Sequence, residues 1–177
     1  MSVMSAHIAL PGYVRARQPE AGLEAYRPAS LSKLLTTGLL RGHLRFNGLI
    51  VSDATPMAGF GSWAPRHVAI PDCIAAGCDM ILFSGDPQAD LSYLKAALGD
   101  GRLEQARIDD AVLRVLGFKA ALGLHLGARK VVAPDMVANR QVAMAITRRA
   151  PTLVKDTQNL LPLDPVKKDA PTVLDAD

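Results

Sequence analysis

The sequence predicts an α/β chain built on a parallel sheet, and three observations point there. Three short apolar runs, Val3 to Ala6, Leu49 to Ser52 and Met80 to Phe83, read as buried strands. Each is followed by a stretch with helical spacing, so strands and helices alternate. Consecutive strand–helix units of this kind join parallel strands through right-handed crossovers. With 177 residues, 49% of them hydrophobic, the chain is long enough to bury one core.

The elements follow in order. Val3 to Ala6 forms a short strand whose end presents His7, and residues 9 to 29, with Pro11, Gly12, Pro19, Gly22 and Pro28, are expected to form a long loop. Ser30 or Ser32 caps a helix through Arg41, with Leu34, Leu35, Leu39 and Leu40 on one stripe. Leu49 to Ser52 is the second strand, and a second loop covers residues 54 to 70. Pro71 is placed at the first position of a short helix ending at Gly77. Met80 to Phe83 is the third strand, with Ser84-Gly85-Asp86-Pro87 as its exit turn. A helix from Ala89 to Leu98 stops at Gly99. The next, from Glu104 to Leu122, carries Ile108, Val112, Val115 and Leu116 along one face.

Composition excludes several functions. The net charge of +3 comes from scattered Lys and Arg, with no basic run beyond Arg148-Arg149 and Lys167-Lys168, so nucleic-acid binding is not expected. No apolar stretch approaches the ~18 residues of a membrane span. The N-terminus lacks a cationic start followed by an apolar core, so the expected location is cytoplasmic. Cys73 and Cys78 match no common zinc spacing and read as small buried thiols in a reducing compartment. His43, His67 and His125 have no paired acidic or Cys spacing, so no metal is expected. No Gly-x-Gly-x-x-Gly follows any strand, and no cofactor is expected.

The chemistry concentrates at Phe46-Asn47-Gly48-Leu49-Ile50-Val51-Ser52-Asp53-Ala54-Thr55-Pro56-Met57. Here an apolar run delivers one carboxylate to the end of a strand, where parallel α/β barrels gather their reactive groups. An Asp in that position also caps turns. Around it, Met4-Ser5-Ala6-His7-Ile8, Pro28-Ala29-Ser30-Leu31-Ser32, Gly38-Leu39-Leu40-Arg41, Ala76-Gly77-Cys78-Asp79-Met80-Ile81-Leu82, Asp100-Gly101-Arg102-Leu103, Arg107-Ile108-Asp109-Asp110-Ala111-Val112 and Leu122-Gly123-Leu124 follow in sequence. That order resembles family 3 glycoside hydrolases, and the likeness runs from the first residue to about Leu163. His7 and the Asp53 to Met57 spacing resemble the bacterial β-N-acetylhexosaminidase branch more than the β-glucosidase branch. Ala54 departs from the acidic residue common there, and Asn47 replaces a frequent Asp.

The resemblance implies that residues 1–126 are the last three strand–helix units of a TIM-type barrel, a partial barrel, since a whole one needs ~250 residues. It implies a linker helix region over 127–150, with the helix around Asp135 to Arg149. Residues 151–177 then hold the start of a truncated second domain or a tail, with Pro151 to Leu163 similar to that domain's first strand. Asp53 matches the family nucleophile, His7 and Met57 match residues that line the sugar pocket, and the partner is a carbohydrate. A retaining glycosidase needs a nucleophilic carboxylate and a second group that protonates the leaving oxygen. In the hexosaminidase branch that group is a His in a Lys-His-Phe-Pro-Gly-His-Gly motif, which nothing here matches; in β-glucosidases it is a Glu of the second domain. His7 is a local substitute only in principle. Trp63, the single Trp, reads as a packing anchor or a sugar-stacking face. The implied activity is retaining hydrolysis of terminal β-linked N-acetylhexosamine through a glycosyl-Asp intermediate. Alternatives are a β-glucosidase-type family 3 segment or a catalytically inert α/β module. The partial barrel further implies an open sheet edge that meets a complementing barrel half or self-associates.

Overall fold

The computed structural model describes residues 1–127, 133–157 and 161. The chain divides into two units, Met1–Ala128 and Arg129–Asp177.

The first unit is built on a three-stranded parallel sheet in the order β1 (Ser2–Ser5), β2 (Leu49–Ala54), β3 (Met80–Leu82). β1 pairs β2 from Ser2 opposite Leu49 to Ser5 opposite Ser52. β2 runs two residues past the expected end, so Asp53 lies inside the strand rather than just beyond it. The pairing of β2 with β3 shifts register between Val51 and Ala54. There the buried Ser52 hydroxyl fills the ladder, accepting Leu82 N–H at 2.9 Å and donating to the Asp53 carbonyl at 2.8 Å.

Because side chains alternate along a strand, one sheet face carries Val3, Ile50, Ser5 and Ser52 and the other carries Met4, Val51 and Asp53. The first face packs under helices: Ile50 sits in a core with Leu31, Phe60, Ala69, Ile70, Cys73 and Cys78. On the second face Met4 remains 52% exposed, and Val51 and Met80 are half-buried.

Two expected loops contain helices. Within 9–29 lies α1 (Pro11–Arg17), because Pro11 occupies the first helical position, where its missing N–H costs nothing, and Val14 buries against Ala25 and Leu35. Within 54–70 lies α2 (Ala58–Gly61). The helix expected to start at Pro71 is α3 (Arg66–Ala76), with Pro71 inside it. Burial of Ala69 and Ile70 draws the start forward, and the carbonyl deprived of its donor by Pro71 is that of exposed His67, where water can reach it. The helix expected through Arg41 is a π-helix, Leu34–His43. α4 (Pro87–Gly99), capped by Asp86, and α5 (Gln105–Ala121) complete the layer.

The Cys73 and Cys78 spacing has a backbone cause. Gly77, with φ +123°, ends α3; its N–H bonds Ile74 O at 3.0 Å while Cys78 N–H bonds Cys73 O at 3.2 Å, the paired bonds of a Schellman cap. Both thiols are buried and free, and contact with the Cys78 thiol together with burial holds the Cys73 pKa well above its usual value.

At the amino ends of β2 and β3, the Asp79 carboxylate is fully buried. It accepts Ile50 N–H at 2.8 Å, Arg41 of the π-helix at 2.5 Å and Arg107 of α5 at 2.6 Å. Arg107 also pairs with Asp110, which Arg114 contacts at 3.0 Å. Burial pushes the Asp110 pKa up, but Arg114 and Arg107 outweigh it and hold the carboxyl below the usual range. A 430 Å³ cleft beside this network is lined by Arg41, Asp72, Arg107 and Asp110 among others.

In the second unit, α6 (Met136–Arg149) matches the expected helix, with Asp135 Oδ1 accepting Val137 and Ala138 N–H at 3.0 and 2.9 Å. Residues 151–156 adopt no regular structure, and the rest of the strand expected over Pro151 to Leu163 lies, apart from 157 and 161, outside the described residues. No helix among the described residues is long and apolar enough to cross a membrane.

Removing the Asp79 carboxylate leaves two half-buried guanidinium groups without their shared acceptor. Asp79→Ala is expected to lower unfolding stability by roughly 3–5 kcal/mol in urea titration. A loss under about 1 kcal/mol contradicts a clamp at that position.

Candidate functional site

The carboxyl end of the sheet is assembled by three segments that converge on Ala54. Asp53 precedes it, half-buried, with Oδ1 accepting Ala54 N–H at 2.7 Å. Its second oxygen has no hydrogen-bond partner, and no Lys or Arg pairs with it, among the described residues. One carboxylate oxygen is therefore anchored to the backbone and the other is left on the sheet face that no helix of the core covers.

His7, just past β1, reaches the same point from the side. Its Nε2 lies 3.1 Å from Ala54 O and its Nδ1 2.7 Å from the buried Ser30 hydroxyl. A carbonyl only accepts, so Nε2 carries the hydrogen, and in the neutral ring Nδ1 accepts from Ser30. The ring is 7% exposed and rests on Phe60 with centroids 4.8 Å apart. His7 thus holds the backbone that follows Asp53, and neither ring nitrogen is free for a proton relay.

Met57 closes the turn, donating its N–H to Ala54 O at 3.1 Å, and its side chain is 47% exposed. The turn leads into α2, whose Gly59 meets the chain at His7: a Cβ there would lie 2.6 Å from His7 O. Trp63 is partly buried against the core, with the Arg27 guanidinium 5.2 Å from its ring centre, the arrangement of a packing anchor.

Beyond Met57, a polar cluster that sequence reading did not single out fixes the loops after β2 and β3. Arg66 of α3 grips Asp90 of α4 with two bonds, at 2.7 and 2.6 Å, and donates to Thr55 Oγ1 at 3.1 Å. Ser84 donates to the same carboxylate at 2.6 Å. The signal available in the sequence was a single Arg at a helix start, which has no pattern of its own. His43, His67 and His125 are exposed, and no group of three His, Cys, Asp or Glu suited to a metal occurs among the described residues.

The profile of the glycosyl hydrolase family 3 N terminal domain matches residues 1–118. The chain belongs to that family. This family 3 chain is 42% identical over 170 residues to the beta-N-acetylglucosaminidase/beta-glucosidase of Cellulomonas fimi, covering 92% of this chain and 30% of the relative. Among solved structures it is similar to beta-glucoside phosphorylase BglX, with TM-score 0.74 and 42% identity over 93% of this chain and 31% of that one. It is also similar to the family 3 beta-N-acetylglucosaminidase of Paenibacillus sp. str. FPU-7, with TM-score 0.62 and 32% identity over 76% of this chain and 24% of that one. The chain therefore spans about a quarter to a third of the length of these relatives.

The contact between α2 and His7 is tested by paired glycine changes. Gly59→Ala is expected to lower the urea midpoint, because a clash costing about 1–3 kcal/mol exceeds the ~1 kcal/mol that alanine gains in a helix. Gly61→Ala, with nothing within 4 Å of the added carbon, is expected to be neutral or stabilising. Equal effects at the two positions contradict the close approach.

Proposed function

We propose that Asp53 is the nucleophile of a retaining family 3 glycosidase site acting on terminal β-linked N-acetylhexosamine. Asp53 attacks the anomeric carbon, the glycosidic oxygen leaves with a proton from a general acid, and water then cleaves the glycosyl-Asp ester. The observation that carries this is the placement of Asp53: it lies one residue before the end of the central parallel strand, on the uncovered face, with one oxygen held by a backbone N–H and the other open.

In this reading Met57 offers its exposed thioether to the sugar, and His7 forms the inner wall through its hold on Ala54. Residues 1–126 form the last three strand–helix units of a TIM-type barrel, 127–150 a linker, and 151–177 the start of a second domain. The uncovered face with Met4, Val51 and Met80 is then the inner surface of that barrel, to be covered by a complementing half or by a second copy of this chain. No residue beside Asp53 is placed as a proton donor among the described residues, since His7 has both nitrogens engaged; in this reading the general acid is supplied from beyond them.

The names of the relatives support a second specificity, β-glucoside cleavage, carried by the same carboxylate. One solved relative is named a phosphorylase, and phosphate in place of water as the acceptor leaves the first step unchanged.

From a dinitrophenyl 2-deoxy-2-fluoro-β-D-glycoside the dinitrophenolate departs without acid assistance as the sugar bonds to the carboxylate, so the first step can be read in isolation. Peptide mass mapping is expected to find the sugar on Asp53, and Asp53→Asn is expected to remove the label while the far-ultraviolet circular dichroism is unchanged. A label on another residue, or none on protein that unfolds cooperatively, contradicts the assignment. In sedimentation velocity the chain is expected to associate as its concentration rises; a concentration-independent monomer contradicts an exposed barrel interior.

A further inference from the structure

We propose that Phe83 is a saccharide-contacting residue, presenting its ring as a stacking face beside Asp53; the placement of a sugar there rests on the site proposed above. Phe83 is the first residue after β3, and its backbone φ is +50°. A bulky side chain rarely adopts that conformation, and such strain persists where the surroundings over-determine it and the side chain has a task. Phe83 is also 70% exposed, so burial of its ring does not repay the strain.

What holds it is a buried polar cluster. The Phe83 carbonyl accepts the Thr55 hydroxyl at 3.2 Å, and Thr55 N–H bonds Leu82 O at 3.3 Å. On the other side Ser84 is tied to Asp90, which Arg66 grips twice while also reaching Thr55. Thr55 and Asp90 are 3% and 6% exposed, so both flanks of Phe83 are fixed from within. Thr55 stands two residues beyond Asp53, and Ala54 pairs with Leu82, so this clamp seats the aromatic residue at the same strand ends as the carboxylate. Among the described residues the other non-glycine residue with positive φ, exposed Arg45, lies in the turn before β2, at the opposite end of the sheet. An aromatic ring offers the apolar C–H face of a pyranoside a flat surface while the hydroxyls stay in water.

The test measures binding to the whole chain of methyl β-D-glucopyranoside and of its 2-acetamido-2-deoxy analogue, by saturation-transfer NMR and titration. Phe83→Ala is expected to weaken the dissociation constant of the bound glycoside about five- to tenfold, and Phe83→Tyr to stay within about twofold of the parent. Phe83→Gly is expected to melt above the parent, because glycine accepts the left-handed backbone, and yet to bind as poorly as the alanine variant. A residue serving the fold alone gives the reverse. Unchanged binding in Phe83→Ala, a lowered melting temperature in Phe83→Gly, or no binding of either glycoside by the parent overturns the proposal. Binding that depends on Phe83 in protein whose Asp53 takes no label supports the contact and retires the nucleophile alone.

Discussion

One buried carboxylate sets the geometry of this chain. Asp79 stands just before β3, yet it accepts the N–H of Ile50 at the start of β2 while its own N–H bonds Ile50 O at 2.7 Å. Arg41 and Arg107 converge on the same group, so the π-helix, α5 and two strands share one anchor. A desolvated carboxylate is tolerable only when its acceptor sites are filled, and here backbone and guanidinium donors fill them. The consequence is positional. With Ile50 fixed, Asp53 follows three residues later, about 10 Å along an extended strand, and alternation turns it to the face opposite the Ile50 core.

The two ends of the sheet are therefore built for different purposes from similar residue types. At the amino end every carboxylate of the network meets an Arg, and the charges lock helices to strands. At the carboxyl end the Arg66–Asp90 pair is also satisfied, but it sits behind the mouth and braces Thr55 and Ser84. Asp53, on the sheet itself, is held by a single backbone donor. Ser52 beneath it repairs the ladder where register shifts, and His7 restrains Ala54, so the carboxylate stands on a rigid support while keeping an open oxygen. Rigid positioning with an unfilled acceptor is the combination that reaction at a carboxylate needs.

Much of this was legible in the chain of residues, for stated reasons. Leu49 to Ser52 and Met80 to Phe83 are apolar on both faces, which marks buried parallel strands, and the carboxylate after the first of them marks a strand end. Helices on short or proline-marked segments were harder to see: Pro11 read as an interruption when it starts α1, and Pro71 as a start when burial of Ala69 and Ile70 begins α3 at Arg66. The clamp at Asp79 was silent because Arg41 and Arg107 come from 38 and 28 residues away, a distance no local pattern encodes. Phe83 read as the last residue of a strand, since nothing in residue type announces a left-handed backbone. The Cys73 and Cys78 spacing, read as buried thiols, follows from the helix cap between them.

A crystal structure of this chain after reaction with the 2-fluoro glycoside tests most directly that the sheet delivers one reactive carboxylate to its open face. The account predicts continuous density from an Asp53 oxygen to the anomeric carbon, with the sugar lying on the side of the sheet that carries Met4 and Val51. A sugar seated in the arginine-lined cleft at the opposite end, or an Asp53 side chain turned into the helix layer, contradicts it.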